Sequence, residues 1–230
     1  MNQLFASSVT IGVIMNVFIY MAIDKIHKKI NNPLCNPLIL TAAIIIVFLV
    51  VFDVEYESYQ SSAKYLDYLL TPTTVCLAIP LYQKLHVLKA NYKAILVGVF
   101  TGILVGLFTI LGLAILFGLS HQDYITLLPK SVTTAIAIGI IDELGGGVSI
   151  TIAAITITGM LGNVASEKMC KIFKIEEPVA VGVAIGTCSH ALGTAKAMEL
   201  GKVQGAMSSL ALVIAGIITT VGASIFALIY

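Results

Sequence analysis

Charge is missing from this chain over five long stretches, and that absence limits its fold more than anything else in the sequence. Met1–Ile23, Ile30–Phe52, Ala94–Ser120, Leu144–Ser166 and Val203–Tyr230 hold no Asp, Glu, Lys or Arg. Each is long enough for a helix crossing about 30 Å of hydrocarbon, which takes roughly 20 residues. A buried helix of a soluble core could account for one such run but not for five. With 58% hydrophobic and 11% charged residues, the chain is also too apolar for an ordinary soluble domain. Backbone groups in lipid must be satisfied within their own segment, so the spans are helices. The class is all-α, a polytopic membrane protein forming a single integral membrane domain.

Taken in order, about seven to eight hydrophobic segments emerge. The first, about Leu4 to Ile23, lacks a basic n-region and a small-residue cleavage pattern, so it reads as a retained span and not a signal peptide. Asp24 to Lys29 follows as a basic loop on the cytoplasmic side by the positive-inside rule. A second span, about Pro37 to Phe52, leads to the acidic Asp53–Glu57. Leu69 to Leu85 is apolar but carries Pro72 and Pro80, which predict a kinked or broken helix. Ala94 to Phe117 places Gly98, Gly102 and Gly106 on one face, the spacing that lets helices approach closely in lipid. Pro129 to Glu143 has an uncharged stretch too short to span comfortably, predicting a half-helix or re-entrant element. Leu144 to Ser166, the segment around Ala184–Leu200 and Val203 to Tyr230 complete the set.

Shifting the chain by 113 residues lays Pro37–Phe52 on Ile150–Ala165 and Ala94–Phe117 on Met207–Tyr230. Gly98, Gly102 and Gly106 then fall on Ala211, Ala215 and Thr219, and Pro80 on Gly193. The expectation is two repeats of about 115 residues, approximately 1–117 and 118–230, with broken or re-entrant helices at corresponding places. Paired halves with interrupted helices point to a secondary transporter whose site lies near the midplane.

The polar content is concentrated where such a site would be. Ala184–Leu200 carries Thr187, Ser189, His190, Thr194, Lys196 and Glu199 between apolar runs, and intramembrane polar residues must face protein or a water-filled cavity. Pro72-Thr73-Thr74, Pro129-Lys130-Ser131 and Gly186-Thr187-Cys188-Ser189 read as helix N-termini, whose free N–H groups favour anions. A small carboxylate is the expected ligand. Thr73, Thr74, Ser131, Thr133, Thr134, Ser189 and Thr194 are candidate hydroxyls, and Lys130 and Lys196 candidate cations. His190 is a candidate for anion binding or for carrying a coupling proton. Against this stand the bland readings: hydroxyls that bond only their own helix, lysines that snorkel to headgroups, and a His190–Thr194 pair that only ties helices together.

Other classes find little support. The chain has no arginine, so guanidinium clamping of a carboxylate is excluded. Cys35, Cys76, Cys170 and Cys188 show no CxxC spacing, so no zinc site, disulfide framework or other metal is expected. A net charge of +1 without a basic cluster gives no nucleic-acid face. No hydrolase, Walker or dinucleotide motif occurs, so neither an enzyme nor a cofactor is expected.

Long motifs carry a resemblance. Thr73-Thr74-Val75-Cys76-Leu77-Ala78-Ile79-Pro80-Leu81-Tyr82, Leu128–Thr134, Gly186–Lys196 and Gly205–Leu210 closely resemble the LrgB/CidB family, over essentially the whole chain. Ala135 stands where that family usually has proline, and Cys188 where alanine is usual. The resemblance implies a bacterial inner or plasma membrane protein acting with a small LrgA/CidA-type membrane partner, and a homo-oligomer is expected. It implies either of two functions. Relatives that include a plastid glycolate/glycerate translocator carry small monocarboxylates, pyruvate among them. The pairs are also described as holin- and antiholin-like regulators of murein hydrolase activity and cell lysis.

Overall fold

The computed structural model describes residues 2–30, 37–76 and 78–230. All regular structure among them is helical: α1 (Asn2–Ser7), α2 (Ile11–Ile30), α3 (Pro37–Val51), α4 (Tyr56–Cys76), α5 (Ala78–Gln83), α6 (Leu85–Phe117), α7 (His121–Leu127), α8 (Thr134–Leu144), α9 (Val148–Ile172), α10 (Pro178–Leu200) and α11 (Lys202–Ala227). Four of these, α6, α9, α10 and α11, are long and apolar enough to cross a membrane, and α3 is a shorter apolar helix of 15 residues. The protein is therefore a multi-pass membrane protein. It divides into two compact units, Met1–Cys76 and Leu77–Tyr230.

In the first unit the expected opening span is interrupted. Ser8, Val9 and Thr10 separate α1 from α2, and α2 then runs through the basic segment expected as a loop. Its final turn holds Lys28 against Asp24 at 2.6 Å, one turn back, a pairing that favours continuing the helix. Phe5 is buried against Phe48 and Tyr59. Asn16 donates to the Gly12 carbonyl and to the Tyr59 hydroxyl, both at 2.7 Å. Pro72 lies inside α4 without ending it.

The second unit is built around α10 and α11: before His190 the two run in the same direction, Gly182 facing Gln204–Met207 and Gly186 facing Ser208, and after it α10 folds back antiparallel, with Met198 against Gly205 and Thr194 against Ser208. A Cβ on Gly186 would overlap the Ser208 backbone, and one on Gly182 would meet the Met207 Cβ at 2.8 Å. The two main chains are thus in direct contact, which only glycine permits. α6 lies against this pair through Ile95, Val99, Ile103 and Leu107, all buried. At 33 residues it is about 50 Å long, longer than the hydrocarbon core. It ends at Gly118, whose left-handed backbone (φ 60) returns N–H bonds to the final turn.

Between α6 and α9 no described helix is long enough to cross. α7 is a single short helix capped by Ser120. A turn over 128–133 follows, and α8, with 11 residues, covers about 16 Å, half the hydrocarbon thickness. A short helix lies in the segment expected to hold a half-helix or re-entrant element, and it begins at Thr134 and not at Pro129. Backbone bonds from Lys130 to Leu127 and from Val132 to Pro129 close a turn instead. Thr126 fastens this hairpin to α9, accepting from Gly147 N at 2.8 Å and, through its carbonyl, from Thr151 Oγ1 at 2.8 Å.

Candidate functional site

The helix break that defines the site falls at His190. Inside α10 this residue has φ 41 and ψ −139, a conformation that costs a non-glycine residue of order 1–3 kcal/mol and persists only when its surroundings enforce it. Those surroundings are specific. The imidazole Nε2 donates to the Ile155 carbonyl on α9 at 2.9 Å, since a carbonyl can only accept. The ring lies over Gly159, where an added Cβ would come within 2.5 Å of Cε1 and 2.6 Å of Nε2. Asn163 Nδ2 donates to the Leu192 carbonyl at 2.9 Å, satisfying a main-chain oxygen just past the break. Thr194 Oγ1 donates to the His190 carbonyl at 2.9 Å, so the bond it shares with Ser208 Oγ, also 2.9 Å, is donated by the serine. α9 and α11 together hold the bent backbone open.

The break was expected at Gly193, the residue matched to Pro80, and it lies three residues earlier. Gly193 is helical and serves packing, with its Cα surface against Ser189 Cβ and Ile185. A second correction concerns Gly186–Ser189. It is the last turn before the break and not a helix N-terminus, and Thr187 Oγ1 bonds the Val183 carbonyl at 2.7 Å within its own helix.

On the other side of α10 a cavity of about 100 Å³ opens between α6, the 128–133 turn, α10 and α11. Its polar wall consists of Lys130, Ser131, Thr187, Cys188 and Thr219, and its apolar wall includes Ile103, Leu107 and Leu128. Lys130 Nζ donates to Ser131 Oγ at 3.2 Å, and among the described residues no carboxylate pairs with it. The glycine stripe of α6 shapes this wall. A Cβ at Gly102 would meet Thr187 Cγ2 at 3.0 Å, whereas one at Gly106 would meet nothing within 4 Å. The close approach therefore ends at Gly102, and the space at Gly106 belongs to the cavity.

The candidate residues thus separate. Lys130 and Ser131 share the cavity. Ser189, His190 and Thr194 are buried and cluster about the break, with Ser189 pressed on Gly162. Thr133 is the N-cap of α8, without a side-chain cap bond, and Thr134 is its first residue. Lys196 stands apart from the cavity, in an ion-pair group with Glu199 at 3.2 Å and Glu167 of α9 at 3.6 Å. The side chains of Thr73 and Thr74 lie outside the described residues. Thr219 was not among the candidates. In the sequence it is one threonine in an apolar run, and only its register with Gly106 under the 113-residue shift hints at the cavity.

The first unit has a larger groove of about 570 Å³, lined by Asn16, Thr41, Ile45 and Tyr59 among others. It is largely apolar, Asn16 and Thr41 direct their polar atoms to other protein groups, and its lining includes no charged residue to hold an anion.

Comparison with known proteins agrees with the whole-chain resemblance. The LrgB-like family matches residues 16–229. An uncharacterized protein, YxaC of Bacillus subtilis, is 35% identical over 206 residues, 90% of each chain. The holin-like protein CidB is 34% identical in Staphylococcus epidermidis and 31% in Staphylococcus aureus, each over 209 residues and 91% of both chains. No solved structure matches. Similarity this continuous, running through every element that builds the break and the cavity, means that the chain belongs to the LrgB-like family.

Proposed function

We propose that the chain transports small monocarboxylates of the pyruvate or glycolate kind across the bacterial cell membrane. Lys130 carries this reading: a cation with no carboxylate partner among the described residues, on the wall of a partly open cavity. An unpaired charge partly screened from water is left without its full hydration, and an anion is the ligand that relieves it. About 100 Å³ holds some three waters at about 30 Å³ each, which is also the room a two- or three-carbon acid requires. Lys130 and Ser131 then take the carboxylate, while Thr133 and Thr134 set the start of the half-helix beside them. Ser189, His190 and Thr194 act on the break in α10, with His190 the carrier of any coupled proton, while Lys196 is held in its ion pairs with Glu167 and Glu199. Two repeats, 1–117 and 118–230, within one membrane domain remain part of this proposal. The shared cavity wall of Gly106 and Thr219, matched positions under the shift, supports it. A small LrgA/CidA-type partner and a homo-oligomeric assembly complete the functional unit.

The test is uptake of labelled pyruvate and glycolate into vesicles, with and without the partner, beside Lys130→Gln. Saturable uptake abolished in the correctly inserted variant is expected. Uptake that survives Lys130→Gln refutes the site.

The name holin-like protein CidB, borne by the staphylococcal relatives, favours a second reading: an antiholin-like regulator of murein hydrolase activity and lysis with no transport of its own. That reading predicts no uptake of any small acid in either arrangement, together with altered lysis on deletion.

A further inference from the structure

Two residues of the cavity remain without a role, and they lie on its wall together. Thr219 is 3% exposed, yet among the described residues its hydroxyl has no hydrogen-bond partner. Its neighbours behave otherwise: Thr220 bonds the Gly216 carbonyl at 2.9 Å, and Ser224 the Thr220 carbonyl at 3.1 Å. A threonine inside a helix ordinarily satisfies itself in that way, so a hydroxyl that does not is left available to whatever fills the space it borders. Thr219 borders the cavity instead. Gly106 borders it too, with no protein atom within 4 Å of where a Cβ would stand.

We propose that Thr219 and Gly106 determine which acid the cavity accepts: the Thr219 hydroxyl hydrogen-bonds a second oxygen, on the carbon next to the carboxylate, and the bare backbone of Gly106 sets the permitted chain length. This rests on the carboxylate-binding reading of Lys130 and Ser131. A 2-hydroxy or 2-oxo acid satisfies Lys130 with its carboxylate and Thr219 with its other oxygen. A plain alkanoate leaves the threonine unpaired, and a site built to hydrogen-bond a ligand group discriminates strongly against analogues lacking it. A methyl group at position 106 would occupy a substantial part of a space worth about three waters.

The experiment measures protection of Cys188, which also lines the cavity, against a maleimide in vesicles containing the full chain. The probes are glycolate, acetate and 2-hydroxybutyrate, and uptake is recorded alongside. The native protein should be protected by glycolate at concentrations at least tenfold below those needed for acetate. Thr219→Val should abolish that ratio by weakening glycolate alone, and Thr219→Ser should restore it. Gly106→Ala should leave glycolate protection intact and remove protection by 2-hydroxybutyrate. If Thr219→Val weakens glycolate and acetate equally, or Gly106→Ala acts alike on short and long acids, the specificity assignment fails while the carboxylate site stands. If no acid protects the native protein, the carboxylate reading falls and the assignment with it.

Discussion

Gly159→Ala tests whether the α10 break is enforced from α9. The new methyl would sit 2.5–2.6 Å from the His190 ring and 2.7 Å from Leu192 Cδ1. Leucine can turn away, but the imidazole can move only by surrendering its bond to the Ile155 carbonyl. Losing a buried hydrogen bond and leaving its partners unsatisfied costs about 1–3 kcal/mol. Forcing a methyl into a filled contact costs about another 1–3 kcal/mol. The substitution should therefore destabilise the protein by about 2–6 kcal/mol in equilibrium unfolding in detergent micelles. The double-mutant cycle with His190→Ala is the sharper readout. Once the ring is gone the methyl has room, so Gly159→Ala should cost far less in that background, a coupling of about 1 kcal/mol or more. Additive effects would mean that Gly159 does not house the imidazole, and the account of the break would be wrong.

Gly186→Ala, which places a methyl on the Ser208 main chain, should cost more than about 3 kcal/mol or prevent folding, whereas Gly112→Ala, exposed and with open space around it, should stabilise by about 0.5–1 kcal/mol through helix propensity; the same unfolding titration reads both. Thr194→Val removes the donor to the His190 carbonyl and strands Ser208, so a loss of about 1–3 kcal/mol is expected, and adding Ser208→Ala should recover part of it. Lys196→Met breaks ion pairs at the rim of the fold and should change stability by no more than about 1 kcal/mol, with uptake retained; loss of uptake would return Lys196 to the binding machinery.

What could be read from the sequence depended on the range of the interaction responsible. Charge-free runs are local and additive, and they correctly indicated a multi-pass helical protein. The Gly98/Gly102 spacing indicated a close helix contact because GxxxG geometry lies within one element. The site of the break was illegible: Gly193 has the stronger local preference for bending, yet Ile155, Gly159 and Asn163 on another helix hold His190 open instead. Ser8–Thr10 was hidden for a similar reason, since three small residues in an apolar run read equally well as helix. Lys130 and Ser131 were legible as polar residues in an apolar setting. Thr219 was not, because whether a threonine bonds its own helix or a cavity depends on which neighbours happen to be absent.

The backbone contact between α10 and α11 has a mechanical consequence. Side chains can re-pack when helices slide, because rotamers give them slack. Main chains that touch at Gly182 and Gly186 have none, so the stretch of α10 before His190 and the facing part of α11 must travel together as one stiff strut. Any displacement that opens or closes the cavity is then carried where this strut meets α6 and the 128–133 turn; at the α6 seam Gly98 meets only Val183 Cγ1 and Gly102 only the Thr187 side chain.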